Sequence, residues 1–200
     1  MNFRVVTLIA LCVVAGFQAL AEGPAGILLY TETDEGIELL LADHAPPVDR
    51  GWAAFGGHSE PGETYAETAA RETEEETRGY FRRADLLEAI KDQKPTMDGP
   101  FAFYFVKVDR VPASEIMNTK PPTREAVYFE RGPYAWVPLK EIEKFFNPDT
   151  ITFPLRLNPE YLPEGRFTDW VWPIWLHNLS VALEAGTVPW KQNAASEKVR

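Results

Sequence analysis

The sequence predicts a sandwich of helices packed on a β-sheet, of the α/β or α+β class, and three observations indicate it. Short apolar runs are separated by turn residues, stretches with helical spacing lie between some of them, and no internal repeat or low-complexity tract interrupts the order. Strands and helices mixed in this way pack as layers around one core. A chain of 200 residues, 45% hydrophobic and 25% charged, is suited to one folded domain.

The first 21 residues differ from the rest and predict a secretory signal peptide. Arg4 is their only charged residue, an apolar run spans 5–17, and Ala19 and Ala21 supply the small residues of a cleavage site. This run is short for a membrane-spanning helix, so we expect export with cleavage rather than a membrane anchor. Residues 22–200 then form a single periplasmic or secreted domain.

We expect N-terminal sequencing of the protein from its native host to begin at Glu22 or within a few residues of it. The reason is that an apolar segment of this layout directs export and is then removed. A protein that keeps Met1 and remains in the cytosol would contradict both the signal peptide and the predicted location.

The charge balance argues against nucleic acid as a partner. The chain has 30 acidic and 20 basic residues and a formal net charge of −10. Loss of Arg4 would make the charge more negative by one, whereas nucleic-acid backbones are bound through Lys and Arg. Cleavage would also remove Cys12, the only cysteine, which excludes disulfides and a thiol nucleophile from the mature chain. A phosphate-bearing ligand is then most simply handled locally by bound cations.

The first elements are a hairpin and a short strand. Apolar runs at 26–30 and 37–41 flank the turn Asp34-Glu35-Gly36, a pattern typical of a β-hairpin. A third strand is predicted at 51–55, ended by Gly56-Gly57.

A helix is predicted to begin at Thr64. Thr64 and Glu67 have the spacing of a capping box, which provides partners for the first free amides of a helix. Small residues recur at helical spacing along one side and would let the helix lie close to a sheet; they are Ala66, Ala69, Ala70, Thr73 and Thr77. A second, shorter helix is predicted at 84–91.

The C-terminal half continues with strands and then helices. Strands are predicted at 101–108, 126–130 and 134–138, followed by a helix at 139–146. A last helix, at about 168–185, carries three of the six tryptophans. We interpret this helix as part of the core, with a platform for a substrate ring as the alternative.

Three carboxylates on the helix that starts at Thr64 indicate chemistry. Glu72, Glu75 and Glu76 stand at i, i+3 and i+4 and therefore share one face. Oxygen ligands of this kind suit a hard divalent ion such as Mg²⁺ or Mn²⁺. A merely solvated acidic face is the alternative, but the adjoining Arg71 can orient carboxylates through bidentate bonds.

The segment from Gly57 to Gly79 resembles the Nudix box. In that pattern Gly is followed after five residues by Glu, after seven more by Arg-Glu, and after two more by Glu-Glu. The matching positions are Gly57, Glu63, Arg71, Glu72, Glu75 and Glu76. The resemblance implies the Nudix α/β/α sandwich with a mixed β-sheet, here with an extra C-terminal helix.

The resemblance also implies a set of metal ligands. Glu72, Glu75 and Glu76 would bind Mg²⁺ or Mn²⁺ together with the carbonyl of Gly56. Members of the family often add a carboxylate from a later loop, for which Glu130 is our first candidate and Glu125 the second.

The remaining roles follow from the same resemblance. Arg71 and Glu63 would position the acids, and Glu75, Glu76 or Glu130 would be the general base. The implied reaction is hydrolysis of the diphosphate bond in a small nucleotide-like substrate, a nucleoside diphosphate linked to another moiety. We interpret His58, beside the glycine pair, as a loop residue rather than a base.

The same fold is compatible with two other functions. The first, isomerisation of a prenyl diphosphate, uses a cysteine in the enzymes concerned, and the mature chain has none. The second is a catalytically silent ligand-binding or regulatory domain. Such domains usually lose carboxylates of the box, whereas this chain retains all of them. The substrate's second moiety and the oligomeric state have no signature in the sequence.

Overall fold

The computed structural model describes residues 22–147 and 153–191. The predicted signal peptide, residues 1–21, lies outside these ranges, and export therefore remains a prediction. Within the described ranges, no helix combines the length and the apolar character that crossing a membrane would require.

Strands and helices follow one another from Ala25 to Glu184. The strands are β1 (Ala25–Thr33), β2 (Gly36–His44), β3 (Phe55–Gly57), β4 (Thr96–Asp98), β5 (Phe101–Lys107) and β6 (Arg131–Pro138). The α-helices are α1 (Tyr65–Glu76), α2 (Arg83–Ile90), α3 (Ala113–Asn118), α4 (Leu139–Glu143) and α5 (Pro173–Glu184). Short 3₁₀ helices occupy Ala126–Phe129, Lys144–Phe146 and Pro159–Tyr161.

The sheet is mixed and has a hydrophobic core on each face. Its strand order is β4-β5-β1-β2-β6, with β3 paired to β1; β1 runs parallel to β5 and antiparallel to β2. Alternate residues of β1 point to opposite faces, so Leu28 belongs to the core shared with α4 and α5, and Ile27 to the core shared with α1, α2 and α3. The predicted α/β/α sandwich is thereby confirmed.

Helix α1 lies against the sheet as its sequence predicts. The Thr64 hydroxyl accepts a hydrogen bond from the amide of Glu67 at 3.3 Å, and the Glu67 carboxylate accepts one from the amide of Thr64 at 2.9 Å. Ala69 and Ala70 are fully buried on the sheet side. The close approach made possible by these small side chains leaves the acidic side of α1 facing the loop after β3.

The predicted strand at 51–55 is wrong in position, because the glycine pair is itself part of the strand. β3 pairs antiparallel with the start of β1 and brings Gly56 opposite Gly26. Gly56 has φ +153, and a Cβ there would lie 2.7 Å from the carbonyl oxygen of Ala25. Because glycine has no side chain, the two backbones can pair this closely. The strand therefore continues through the glycine pair instead of ending before it.

The predicted strand at 126–130 is also wrong. Its first four residues form a 3₁₀ helix, none of whose side chains is buried, and the strand begins only at Arg131. The last helix begins at Pro173 rather than at 168. A proline at the first helical position lacks only an amide that would have had no helical partner, and the preceding Trp170 and Val171 form isolated bridges with other segments instead. Elements β4 and α3 were not predicted.

Candidate active site

The acidic side of α1, the loop after β3 and the segment before β6 enclose a cavity of about 310 Å³. We call it the carboxylate cavity, because four glutamates line it: Glu72, Glu75, Glu76 and Glu130. Arg71 and the backbone of the β3 loop complete the wall nearest to α1. The structure therefore brings three carboxylates of one helix face together with a fourth from a distant part of the chain.

Arg71 lies at the centre of the acidic group. Its Nε donates to Glu63 Oε1 at 2.9 Å, and its Nη1 donates to Glu72 Oε1 at 3.0 Å and to Glu75 Oε2 at 2.9 Å. Its Nη2 donates to the carbonyl of His58 at 2.7 Å. One guanidinium thus connects the loop to two carboxylates of α1, a geometry that suits the planar fork of arginine.

Glu63 forms an ion pair that holds Arg71 in position, and it does not itself line the cavity. Its carboxylate also accepts hydrogen bonds from the amide of Glu60 at 2.9 Å and from the hydroxyl of Thr68 at 3.1 Å. Although burial acts to raise the pKa of Glu63, the bonds from Arg71, Glu60 and Thr68 hold it below its usual value. Glu63 therefore stays ionised and keeps the guanidinium in place.

Glu72 packs against the glycine loop. A Cβ on Gly57 would lie 2.5 Å from the Glu72 carboxylate, so any larger residue at position 57 would displace this carboxylate from its present position. Burial and the neighbouring Glu76 raise the pKa of Glu72 to about 7, even though Arg71 opposes this shift. The ionised form of Glu72 is therefore disfavoured unless a further cation lies beside it.

Glu76 is buried and held from two sides. Its Oε2 accepts a hydrogen bond from the amide of Gly56 at 2.9 Å, and its Oε1 pairs with Nη1 of Arg131 at 3.2 Å. Arg131 is only 2% exposed, and its Nη2 donates to the carbonyls of Ala42 and Ala53 at 2.7 and 2.8 Å. Burial raises the pKa of Glu76, whereas Arg131 and the Gly56 amide lower it.

Sequence analysis missed Arg131 because this residue falls between two predicted strands. Only the sheet reveals its role: β6 pairs with β2 and places His44 opposite Arg131. His44 and Arg50, which shortly precede the box, were not predicted either, because nothing in their local pattern points to the carboxylate cavity that they line. Trp172, which the sequence assigned either to the core or to a platform for a substrate ring, also lines this cavity.

Of the two later carboxylates, Glu130 reaches the cavity. Glu130 follows the 3₁₀ helix, is exposed and lines the carboxylate cavity, whereas Glu125 is not among the lining residues. No described residue forms a hydrogen bond or ion pair with the Glu130 carboxylate. His58 also lines the cavity, and its carbonyl is bound by Arg71.

The cavity fits a hard divalent ion by its donor chemistry. Four carboxylates line it, and a cation beside them would favour the ionised form of Glu72, which burial and Glu76 disfavour. In the described part of the chain, however, no three such side chains are already drawn together as a ligand cluster. The reason is visible in the contacts: Arg71 holds Glu72 and Glu75, and Arg131 holds Glu76.

Two solved structures are weakly similar to this chain. One is an Ap4A hydrolase of C. elegans in a binary complex, with 22% identity, coverage of 58% of this chain and 80% of that chain, and a TM-score of 0.38. The other is an Ap4A hydrolase of C. elegans, with 19% identity, coverage of 66% and 87%, and a TM-score of 0.34. No curated protein matches this chain.

A mixed sheet between helical layers, with an acidic helix against a glycine loop, is the architecture expected of a Nudix enzyme. The NUDIX domain model matches residues 23–155, more than half of the chain. This chain belongs to the Nudix family, and the match confirms the prediction of a Nudix hydrolase.

Proposed function

We propose that this protein is a divalent-metal-dependent hydrolase that cleaves the diphosphate bond of a nucleoside diphosphate linked to another moiety. The supporting observation is the carboxylate cavity, in which the three glutamates of the Nudix box and Glu130 surround one space. A protein with a net charge of −10 needs a local means of holding an anionic substrate, and a metal ion among carboxylates provides it.

The residues that would hold Mg²⁺ or Mn²⁺ are Glu72, Glu75, Glu76, Glu130 and the carbonyl of Gly56. The ion, when bound, would lower the pKa of a water molecule and neutralise charge on the phosphate oxygens. Two arginines of the protein hold three of these carboxylates in position. Arg71 pairs with Glu72 and Glu75, and Arg131 pairs with Glu76.

Glu130 is the carboxylate best suited to accept a proton. Glu75 and Glu76 are each engaged by an arginine, so fewer of their lone pairs are open to a water molecule. Glu130 is exposed and has no such partner in the described part of the chain. Glu75 and Glu76 remain the alternatives for this role.

A substrate panel tests the proposed function. It contains sugar nucleotides, dinucleoside polyphosphates, nucleoside triphosphates and ADP-ribose, each incubated with Mg²⁺, with Mn²⁺ and with EDTA, and the products are identified. We expect cleavage at a diphosphate bond only when a divalent ion is present. Tight binding of a panel member without turnover in either metal would instead favour the catalytically silent domain.

Metal binding should also be visible as stabilisation. At a free Mg²⁺ concentration one hundred times its Kd, the free energy of unfolding should rise by about 2.7 kcal/mol, because the ion binds the native state only. Thermal melts with and without Mg²⁺ measure this shift. Glu72→Gln should reduce it, whereas Glu74→Gln, on the same helix but outside the cavity, should not. Equal shifts in both variants would contradict the proposed ligand set.

A further inference from the structure

A second cavity lies beside the first, between β5 and α5. It has a volume of about 330 Å³, and its walls include Phe101, Phe103, Trp172 and Trp175. We call it the aromatic cavity. Its size is at the lower end of the range for small-molecule sites, and flat apolar walls of this kind suit a planar ring.

The two cavities adjoin at the β3 loop. Arg50, Gly56, Gly57, His58 and Trp172 line both of them. A ligand with its diphosphate at the carboxylates can therefore extend past Trp172 into the aromatic cavity. The shared residues place the aromatic cavity directly beside the carboxylate cavity.

Two polar side chains that line the aromatic cavity have no hydrogen-bond partner among the described residues. Asn178 lines it and is 7% exposed, yet no described residue forms a hydrogen bond with its side-chain amide. The buried indole N–H of Trp175, another lining residue, has no acceptor either. Buried polar groups are normally satisfied, and an amide offers one acceptor and two donors to the edge of a ring.

Arg50 stands where the two cavities meet. It is exposed, its guanidinium carbon lies 5.2 Å from the centre of the Trp172 ring, and no carboxylate pairs with it in the described part of the chain. At this junction it is placed to bind a phosphate group next to the ring.

We propose that the aromatic cavity binds a nucleobase of the substrate and that Arg50 binds the phosphate nearest to the nucleoside. This inference rests on the proposed function, since it places one half of the diphosphate substrate. It also assigns α5 two roles: Leu179 and Ala182 are fully buried in the core, whereas Trp175 and Asn178 face the ligand from the same helix.

The test compares ligands with and without a base. Calorimetry in EDTA would measure binding of AMP, GMP, CMP, UMP and ribose 5-phosphate to the protein. We expect at least one nucleotide to bind about tenfold or more tightly than ribose 5-phosphate, as stacking on aromatic side chains implies. Binding of all four nucleotides no tighter than ribose 5-phosphate would overturn the inference.

Variants assign the effect to the named residues. Trp172→Ala and Asn178→Leu should remove most of the preference for the nucleotide over ribose 5-phosphate. Arg50→Gln should weaken both ligands alike, and Arg82→Gln, an exposed arginine that lines neither cavity, should change neither. Thermal melts show which variants are folded, and Asn178→Leu keeps the test decisive if Trp172→Ala unfolds.

The outcomes separate this inference from the proposed function. An unchanged base preference in folded Asn178→Leu and Trp172→Ala would overturn the location of the nucleobase but leave hydrolysis of diphosphates untouched. Absence of turnover on the substrate panel, with base-dependent binding intact, would overturn the hydrolase and leave the aromatic cavity as a nucleotide site.

Discussion

Replacement of Glu75 by Gln is expected to lower kcat/KM by roughly 10²–10⁴-fold, the range associated with loss of a positioned acid or base. Gln keeps the shape of Glu but removes the negative charge that the carboxylate cavity contributes at this point. The domain should stay folded, because Arg71 pairs with three acids and loses only one of them. Its ion pairs with Glu63 and Glu72 remain in the variant. Kinetics on the best substrate of the panel, with excess Mg²⁺, measure the effect.

The matched control is Glu74→Gln, which makes the same chemical change on the same helix. Glu74 does not line the cavity, so this variant should keep nearly normal turnover. Melting temperatures of both variants exclude unfolding as the cause of any loss. Full activity in Glu75→Gln would mean that the acidic side of α1 is merely a solvated surface.

Replacement of Arg131 by Met is expected to lower the free energy of unfolding by about 3–5 kcal/mol, the cost of leaving one member of a buried ion pair alone. The carbonyls of Ala42 and Ala53, which Arg131 also binds, keep hydrogen bonds from each other's amides at 3.1 and 3.0 Å. Glu76 is therefore the group that loses its main partner. Denaturation by urea in EDTA measures the loss.

A double variant tests that explanation. Arg131→Met combined with Glu76→Gln should recover part of the stability, because no buried charge is then left unpaired. A surface control is Arg156→Met, whose side chain is 56% exposed and pairs with Asp169; it should cost less than about 1 kcal/mol. A double variant as unstable as Arg131→Met would show that Arg131 stabilises the fold through something other than Glu76.

Local patterns in the sequence determined the helix that carries the site. Thr64 and Glu67 set its start, and helical spacing alone put Glu72, Glu75 and Glu76 on one side of it. The hairpin of β1 and β2 was equally readable, since apolar runs around a turn specify pairing between neighbours in the chain. These predictions succeeded because each depends on residues only a few positions apart.

Patterns failed where backbone pairing with a distant segment decides the conformation. The glycine pair after Phe55 is typical of a turn, but pairing with Ala25–Ile27 makes it a strand. Alternation at 126–130 is typical of a strand, but no strand in the described ranges pairs with this segment, and a 3₁₀ helix forms there. The spacing of apolar residues shows which side chains favour burial. It does not show which distant segment offers a backbone for strand pairing.

The sequence by itself determined the family, the helix and the acids of the box, because these reside in one contiguous segment. Only the tertiary structure decided which other residues meet that helix. Arg131 reaches Glu76 across 55 positions of the chain, and Trp172 joins Arg50 at the second cavity. Such contacts arise when the two layers of helices close on the sheet, so the packing that creates them has no short-range pattern from which they could be predicted.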